Sequence, residues 1–122
     1  MTFFELWVVG IGGFLGAIAR FSFSRFINKK FTFRIPIATA TINLLGSFLL
    51  GLLISSGLNN NSILFLGTGF MGAFTTFSTF KLEGVQLYLN KRKKEFFIYN
   101  LISYGGGILL ALIGSEIGKY LF

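Results

Sequence analysis

Four apolar stretches run along the chain, separated by polar interruptions at Asn28-Lys29-Lys30, at Asn59-Asn60-Asn61 and at Asn90-Lys91-Arg92-Lys93-Lys94-Glu95. A membrane-spanning helix needs roughly 20 mainly apolar residues; four use about 80 and leave short loops, whereas six would not fit. The pattern predicts helices near 4–26, 35–57, 63–89 and 96–121. Pro36 is expected in the first turn of the second helix, where its missing N–H costs little. Residues 1–122 therefore read as one all-α, four-helix integral membrane domain.

Composition supports this and removes most soluble alternatives. The chain is 53% hydrophobic and 12% charged, against about 25% charged in soluble domains. It has no Cys and no His, which disfavours a disulfide scaffold, a zinc enzyme and a hydrolase triad, so no enzymatic activity is expected. The opening Met1-Thr2-Phe3-Phe4-Glu5-Leu6-Trp7 has no basic region ahead of the apolar run, which argues for a retained first helix over a cleaved signal peptide. Trp7 and Tyr120 lie near span ends, as interfacial aromatics do.

The net charge of +7 is a topology signal before it is a nucleic-acid patch. Arg20, Arg25, Lys29, Lys30 and Arg34 surround the first loop, and Lys81, Lys91, Arg92, Lys93 and Lys94 flank the third. With four spans these loops share one side, and only Lys119 lies on the other. The positive-inside rule puts the first and third loops in the cytoplasm and both termini outside.

Polar residues inside the spans mark the candidate chemistry, because hydrocarbon penalises any that lack a partner or a purpose. Thr39, Asn43 and Ser47 recur every four residues and share one face of the second helix. Asn43, near mid-span, reads equally as interhelical glue and as a functional amide. The third helix carries Gly69-Phe70-Met71-Gly72-Ala73-Phe74-Thr75-Thr76-Phe77-Ser78-Thr79-Phe80 at its centre. Such a density of hydroxyls and glycines predicts a helix broken near its centre; the alternative is a continuous helix whose hydroxyls bond back to their own carbonyls. Gly12 and Gly16 in helix one, and Gly107, Ala111, Gly114 and Gly118 in helix four, are small-residue faces for close packing.

Three segments taken in order resemble the Fluc fluoride channels, also called the CrcB family. Gly12-Gly13-Phe14-Leu15-Gly16-Ala17-Ile18-Ala19-Arg20-Phe21 is similar to the GGxxGAxxRY signature, with Phe21 in place of Tyr. Thr41-Ile42-Asn43-Leu44-Leu45-Gly46-Ser47-Phe48 is similar to xVNxxGSF, and Gly72-Ala73-Phe74-Thr75-Thr76-Phe77-Ser78-Thr79-Phe80 to GGxTTFSTF, with Ala73 replacing a frequent Gly. The resemblance implies a multi-pass channel of the cell membrane, an antiparallel, dual-topology homodimer with two narrow pores that export fluoride passively and relieve its toxicity. It implies a central sodium ion on the backbone carbonyls of Gly72 and Thr75. It implies a fluoride path over Asn43, Phe77, Ser78, Thr79 and Phe80, with Thr39 on the same helix-two face, Arg20 towards the aqueous entrance and Glu83 near the opposite vestibule. Arg20 reads equally as a topology anchor.

These residue types suit a small, strongly hydrated anion. Amide and hydroxyl donors replace its water, and a phenyl ring is electropositive at its edge. There is no phosphate-binding loop, and the only acids are Glu5, Glu83, Glu95 and Glu116, which gives no mid-membrane carboxylate relay. Two other readings remain open: a small multidrug-type cation exporter, for which Glu5 lies too shallow, and a non-transporting membrane assembly subunit. In helix four, Ser103 and Tyr104 are candidate pore-lining residues. The lopsided Lys/Arg count conflicts with insertion in both orientations, so an inverted paralogous subunit is an expected partner beside an inverted second copy. Lipid is expected around the chain; nucleic acid is not.

Overall fold

The computed structural model describes residues 2–30 and 36–121. All its regular elements there are helical: α1 (Phe3–Lys30), α2 (Ile37–Ser55), α3 (residues 60–74), α4 (Ser78–Leu89) and α5 (Lys93–Leu121). Four helical stretches are long and apolar enough to cross a membrane, α3 and α4 together forming the third. The expected start of the second helix at residue 35, and the charge of Arg34, lie outside the described residues.

The polar interruptions lie partly inside the helices. Asn28, Lys29 and Lys30 form the last turn of α1, where lysines complement the partial negative charge of a helix C-terminus. At 28 residues, α1 is about 42 Å long, more than a hydrocarbon layer of about 30 Å requires, so its basic end has room to reach water. Pro36 stands just ahead of α2, and its carbonyl accepts the first bond, from Ala40 N–H, at 3.2 Å. Asn59 caps α3, its Oδ1 accepting from Ser62 N–H at 2.8 Å. Only Asn90, Lys91 and Arg92 make the last turn, with Lys91 at a left-handed φ of 61°; Lys93, Lys94 and Glu95 already belong to α5.

Packing follows the small residues. A Cβ on Gly12 or Gly16 of α1 would run into the backbone of Phe65 or Phe70, and Gly69 of α3 lies equally tight against Val9 and Gly12. On the other side α2 and α5 form the most extensive pairing of the bundle. There Gly51 faces the Ala111 carbonyl, Gly114 the Phe48 carbonyl, and Gly118 the Ser55 side chain. Without a hydrophobic drive between helices in lipid, such close backbone approach supplies the dispersion energy that holds them. The glycine faces seen in helices one and four are the packing faces.

The third span contains the expected break and one feature with no counterpart in the reading above. Residues Leu64–Met71 form a π-helix, a rare form that tends to occur at functional sites. It continues through Gly72–Phe74 and stops. Thr75 adopts an extended backbone (φ −84°, ψ 159°), and Thr76 and Phe77 are also non-helical before α4 starts at Ser78.

Candidate functional site

The break is held open by side chains that replace backbone partners. In an uninterrupted helix the Thr76 N–H would donate to the Gly72 carbonyl four residues back. Here it donates to Asn43 Oδ1 at 2.9 Å, while Asn43 Nδ2 donates to the Thr76 carbonyl at 2.8 Å. The Asn43 amide thus pairs with the Thr76 peptide as one strand pairs with another. Likewise the Thr79 N–H, four residues past Thr75, is taken by the Thr76 hydroxyl at 3.3 Å. Together these bonds release the carbonyls of Gly72 and Thr75 from the helical ladder.

One break therefore creates two electrostatically opposite ends. The C-terminus of α3 presents carbonyl oxygens, which favour a cation. The N-terminus of the 12-residue α4 presents N–H groups beside Phe77, Ser78 and Thr79, which favour an anion. Discontinuous helices build ion sites within a membrane from such ends.

Two cavities adjoin the break. One, of about 290 Å³, is lined by Asn43, Gly72, Thr75, Thr76 and Phe77 among others, with no charged side chain in its wall. The other, of about 210 Å³, brings together Arg20, Thr39, Thr76 and Thr79 from three spans. Thr76 borders both, and Asn43 borders the first. Uncharged carbonyls such as those of Gly72 and Thr75 suit a hard cation. One chain offers two of them at this edge, fewer than the six or so oxygens that hard cations commonly gather.

The two phenylalanines divide between surface and interior. Phe77 is 63% exposed and Phe80 4%; their rings lie 5.9 Å apart, tilted by 55°. Phe80 also meets Tyr99 at 5.1 Å and, edge to face, Tyr104 at 5.3 Å, both on α5. The Thr39 hydroxyl donates to Glu83 Oε1 at 2.5 Å, tying α2 to α4 behind Phe80. Ser78 opens α4 and is exposed. The remaining hydroxyls of the cluster behave conventionally: Ser47 bonds back to the Asn43 carbonyl and Thr75 to that of Met71, both at 2.9 Å.

Helix α5 contributes a residue that periodicity did not single out. Tyr99 is fully buried. Its hydroxyl faces Thr39 and Glu83 yet makes no well-formed hydrogen bond; the buried Ser103 hydroxyl one turn on has none either. Buried donors without partners are costly and rare in native structures, so this face of α5 has unused hydrogen-bonding capacity beside Phe80. Tyr99 is invisible in the sequence because a tyrosine near a span end reads as an interfacial anchor. Of the two α5 candidates, Ser103 shares this buried face, while Tyr104 presents its ring to Phe80.

Residues 7–115 match the family described as CrcB-like protein, Camphor Resistance (CrcB). The chain belongs to the CrcB family. Among its curated relatives is "Fluoride-specific ion channel FluC 2" of Bacillus thuringiensis subsp. konkukian, 51% identical over 114 residues that cover 93% of this chain and 97% of the relative. Two named "Fluoride-specific ion channel FluC 1" come from Geobacillus kaustophilus, 46% identical over 111 residues (91% and 95% covered), and Listeria innocua, 45% identical over 111 residues (91% and 94% covered). The matched region of this CrcB chain contains the second and third spans with the break, and most of the first and fourth.

Proposed function

We propose that this chain is a subunit of a passive, fluoride-selective channel of the cell membrane that lets the toxic anion leave the cell; it is not an enzyme. The relatives named fluoride-specific ion channels support the substrate. The observation that carries the mechanism is the Asn43–Thr76 pairing, which keeps a helix N-terminus open inside the span. Fluoride passes from the Arg20 mouth along the Thr39 and Thr79 hydroxyls to the edges of Phe77 and Phe80, with the second Asn43 amide proton, Ser78 and the unpaired Tyr99 and Ser103 hydroxyls as further donors. Beyond the Arg20 mouth each contact is a neutral donor or ring edge, strong enough to replace water and too weak to trap the ion. Glu83, held by Thr39, stands towards the far vestibule.

The exposed cavity at Gly72 and Thr75 is the seam with an inverted subunit, and the carbonyls of these two residues would hold a sodium ion there together with carbonyls of that subunit. A bound sodium supplies a fixed charge that holds the broken ends in place. The lopsided Lys/Arg distribution favours a single orientation, and the numerals 1 and 2 in the relatives' names fit paired paralogues; the inverted partner is then a related subunit. Cysteine tagging checks this cleanly, since the chain has no Cys. Single cysteines at Asn60 and at Lys91 are expected to label from opposite sides of the cell membrane, each from one side only; equal labelling of both from both sides would establish dual insertion.

The functional test is halide efflux from liposomes containing the purified protein, read with fluoride and chloride electrodes together. Rapid fluoride loss with negligible chloride loss is expected, from this chain alone or on co-reconstitution with a FluC 1-type subunit. Absence of fluoride flux in both preparations refutes the channel reading. Glu5, in the first turn of α1, is too shallow for the embedded carboxylate of a cation exporter.

A further inference from the structure

Lys81 has no role in the path described so far. Its sequence position, ahead of the basic third loop, makes it look like one more topology charge. The structure places it elsewhere. It lies in the first turn of α4, one residue past Phe80, with about 12 Å of helix between it and the end of the span. An ammonium at such depth is costly and calls for a partner. The nearest acid in its own helix, Glu83, is bonded to Thr39, and Glu116 pairs with Lys119. Its Nζ instead sits over three aromatic faces, 5.4 Å from the Phe77 centroid, 5.4 Å from Phe80 and 5.2 Å from Tyr104.

That arrangement bears on anion binding. A cation over a ring face draws π density towards itself, which leaves the ring edge more electropositive. Two of the three rings are those whose edges line the fluoride path. A charge held over ring faces can draw an anion to the ring edges without itself replacing the ion's water. It also adds to the positive field of the α4 N-terminus and raises local anion concentration.

We infer that Lys81 is an affinity-determining residue of the pore, its ammonium polarising Phe77, Phe80 and Tyr104 from their faces so that their edges bind fluoride more tightly. This rests on the channel reading above. Removing the charge while keeping an apolar stem, in Lys81→Met, is expected to raise the fluoride concentration giving half-maximal efflux about tenfold, with little change in the maximal rate. Lys81→Arg, whose guanidinium also stacks on ring faces, is expected to stay within about twofold of the unmodified protein.

The experiment is initial fluoride efflux from liposomes against internal fluoride concentration, for the unmodified chain, Lys81→Met, Lys81→Gln and Lys81→Arg, each first shown to be monodisperse by size exclusion. The Gln variant serves if the Met variant fails to fold. A higher half-saturating fluoride in Met or Gln, restored by Arg, supports the inference; a merely structural lysine would alter the yield of active protein, and thus the maximal rate, without moving half-saturation. Unmodified protein that conducts, with half-saturation unmoved in the Met or Gln variant or moved as far in the Arg variant, overturns the role of Lys81 and leaves the channel reading standing. Unmodified protein that passes no fluoride, alone or with a related subunit, overturns both.

Discussion

Asn43→Asp is expected to lower fluoride efflux about 100-fold while the protein still inserts in the membrane. The substitution keeps the oxygen that accepts the Thr76 N–H and replaces the nitrogen that donates to the Thr76 carbonyl. One half of the clamp is kept and the other becomes an oxygen facing an oxygen. The aspartate also places a full negative charge beside the proposed anion path. Two like charges about 5 Å apart repel by about 3 kcal/mol at an effective dielectric of about 20, and at about 1.36 kcal/mol per decade that is roughly 100-fold in rate. Liposome efflux of fluoride, normalised to reconstituted protein, measures it. Unchanged efflux would remove Asn43 from the proposed path.

The second large effect concerns the crossing of α1 and α3. In Gly16→Val the new Cβ would overlap the Phe70 carbonyl oxygen and approach the Phe70 carbonyl carbon at 2.9 Å and its Cα at 3.0 Å. Those atoms are backbone, on the segment that leads into the break, so no side-chain rotation relieves the clash. Overpacking against a rigid neighbour costs about 3 kcal/mol or more, enough to displace α3 and with it the π-helical stretch. Loss of the monodisperse size-exclusion peak, or a clear fall in Tm in detergent, is the expected result. Gly10→Ala on the same helix is the control: a Cβ there meets nothing within 4 Å, and the peak is expected to survive. Equal behaviour of the two variants would show that the α1–α3 crossing is looser than the backbone contacts indicate.

Much of this was legible in the chain. The four apolar stretches, the glycine faces of α1 and α5 and the break in the third span are all apparent as patterns. The break shows because threonine, serine and glycine all weaken the local ladder where they stand. Helix ends were less legible: Lys29 and Lys30 look like a loop, yet a polar turn of helix in water costs little and its lysines favour a C-terminus. The π-helical run at residues 64–71 left no signal, since eight residues are too few for apolar periodicity to separate it from an α-helix.

The site divides along the same line. Asn43 and the Thr-Thr-Phe-Ser-Thr-Phe run are conspicuous, because polar groups in hydrocarbon are conspicuous wherever they occur. That Asn43 closes on the Thr76 peptide, 33 residues away, is a fact of helix packing. So is the division of labour between Phe77, open at the surface, and Phe80, buried against α5. In sequence Tyr99 resembles an interfacial anchor and Lys81 a topology charge; their surroundings show one to be a buried donor and the other an ammonium over three rings.

The sequence by itself determined that the chain carries four stretches apolar enough to cross a membrane, because the transfer free energy of each span is a sum over its own residues. It also determined that the third span would not stay helical at its centre, since that weakness is local. Which carbonyls the break releases, which hydroxyls lose their partners and which rings receive the ammonium were decided only by the tertiary structure. Those outcomes depend on distances between spans, set by close glycine contacts and directional hydrogen bonds between residues far apart in the chain, which no sum over neighbouring residues contains.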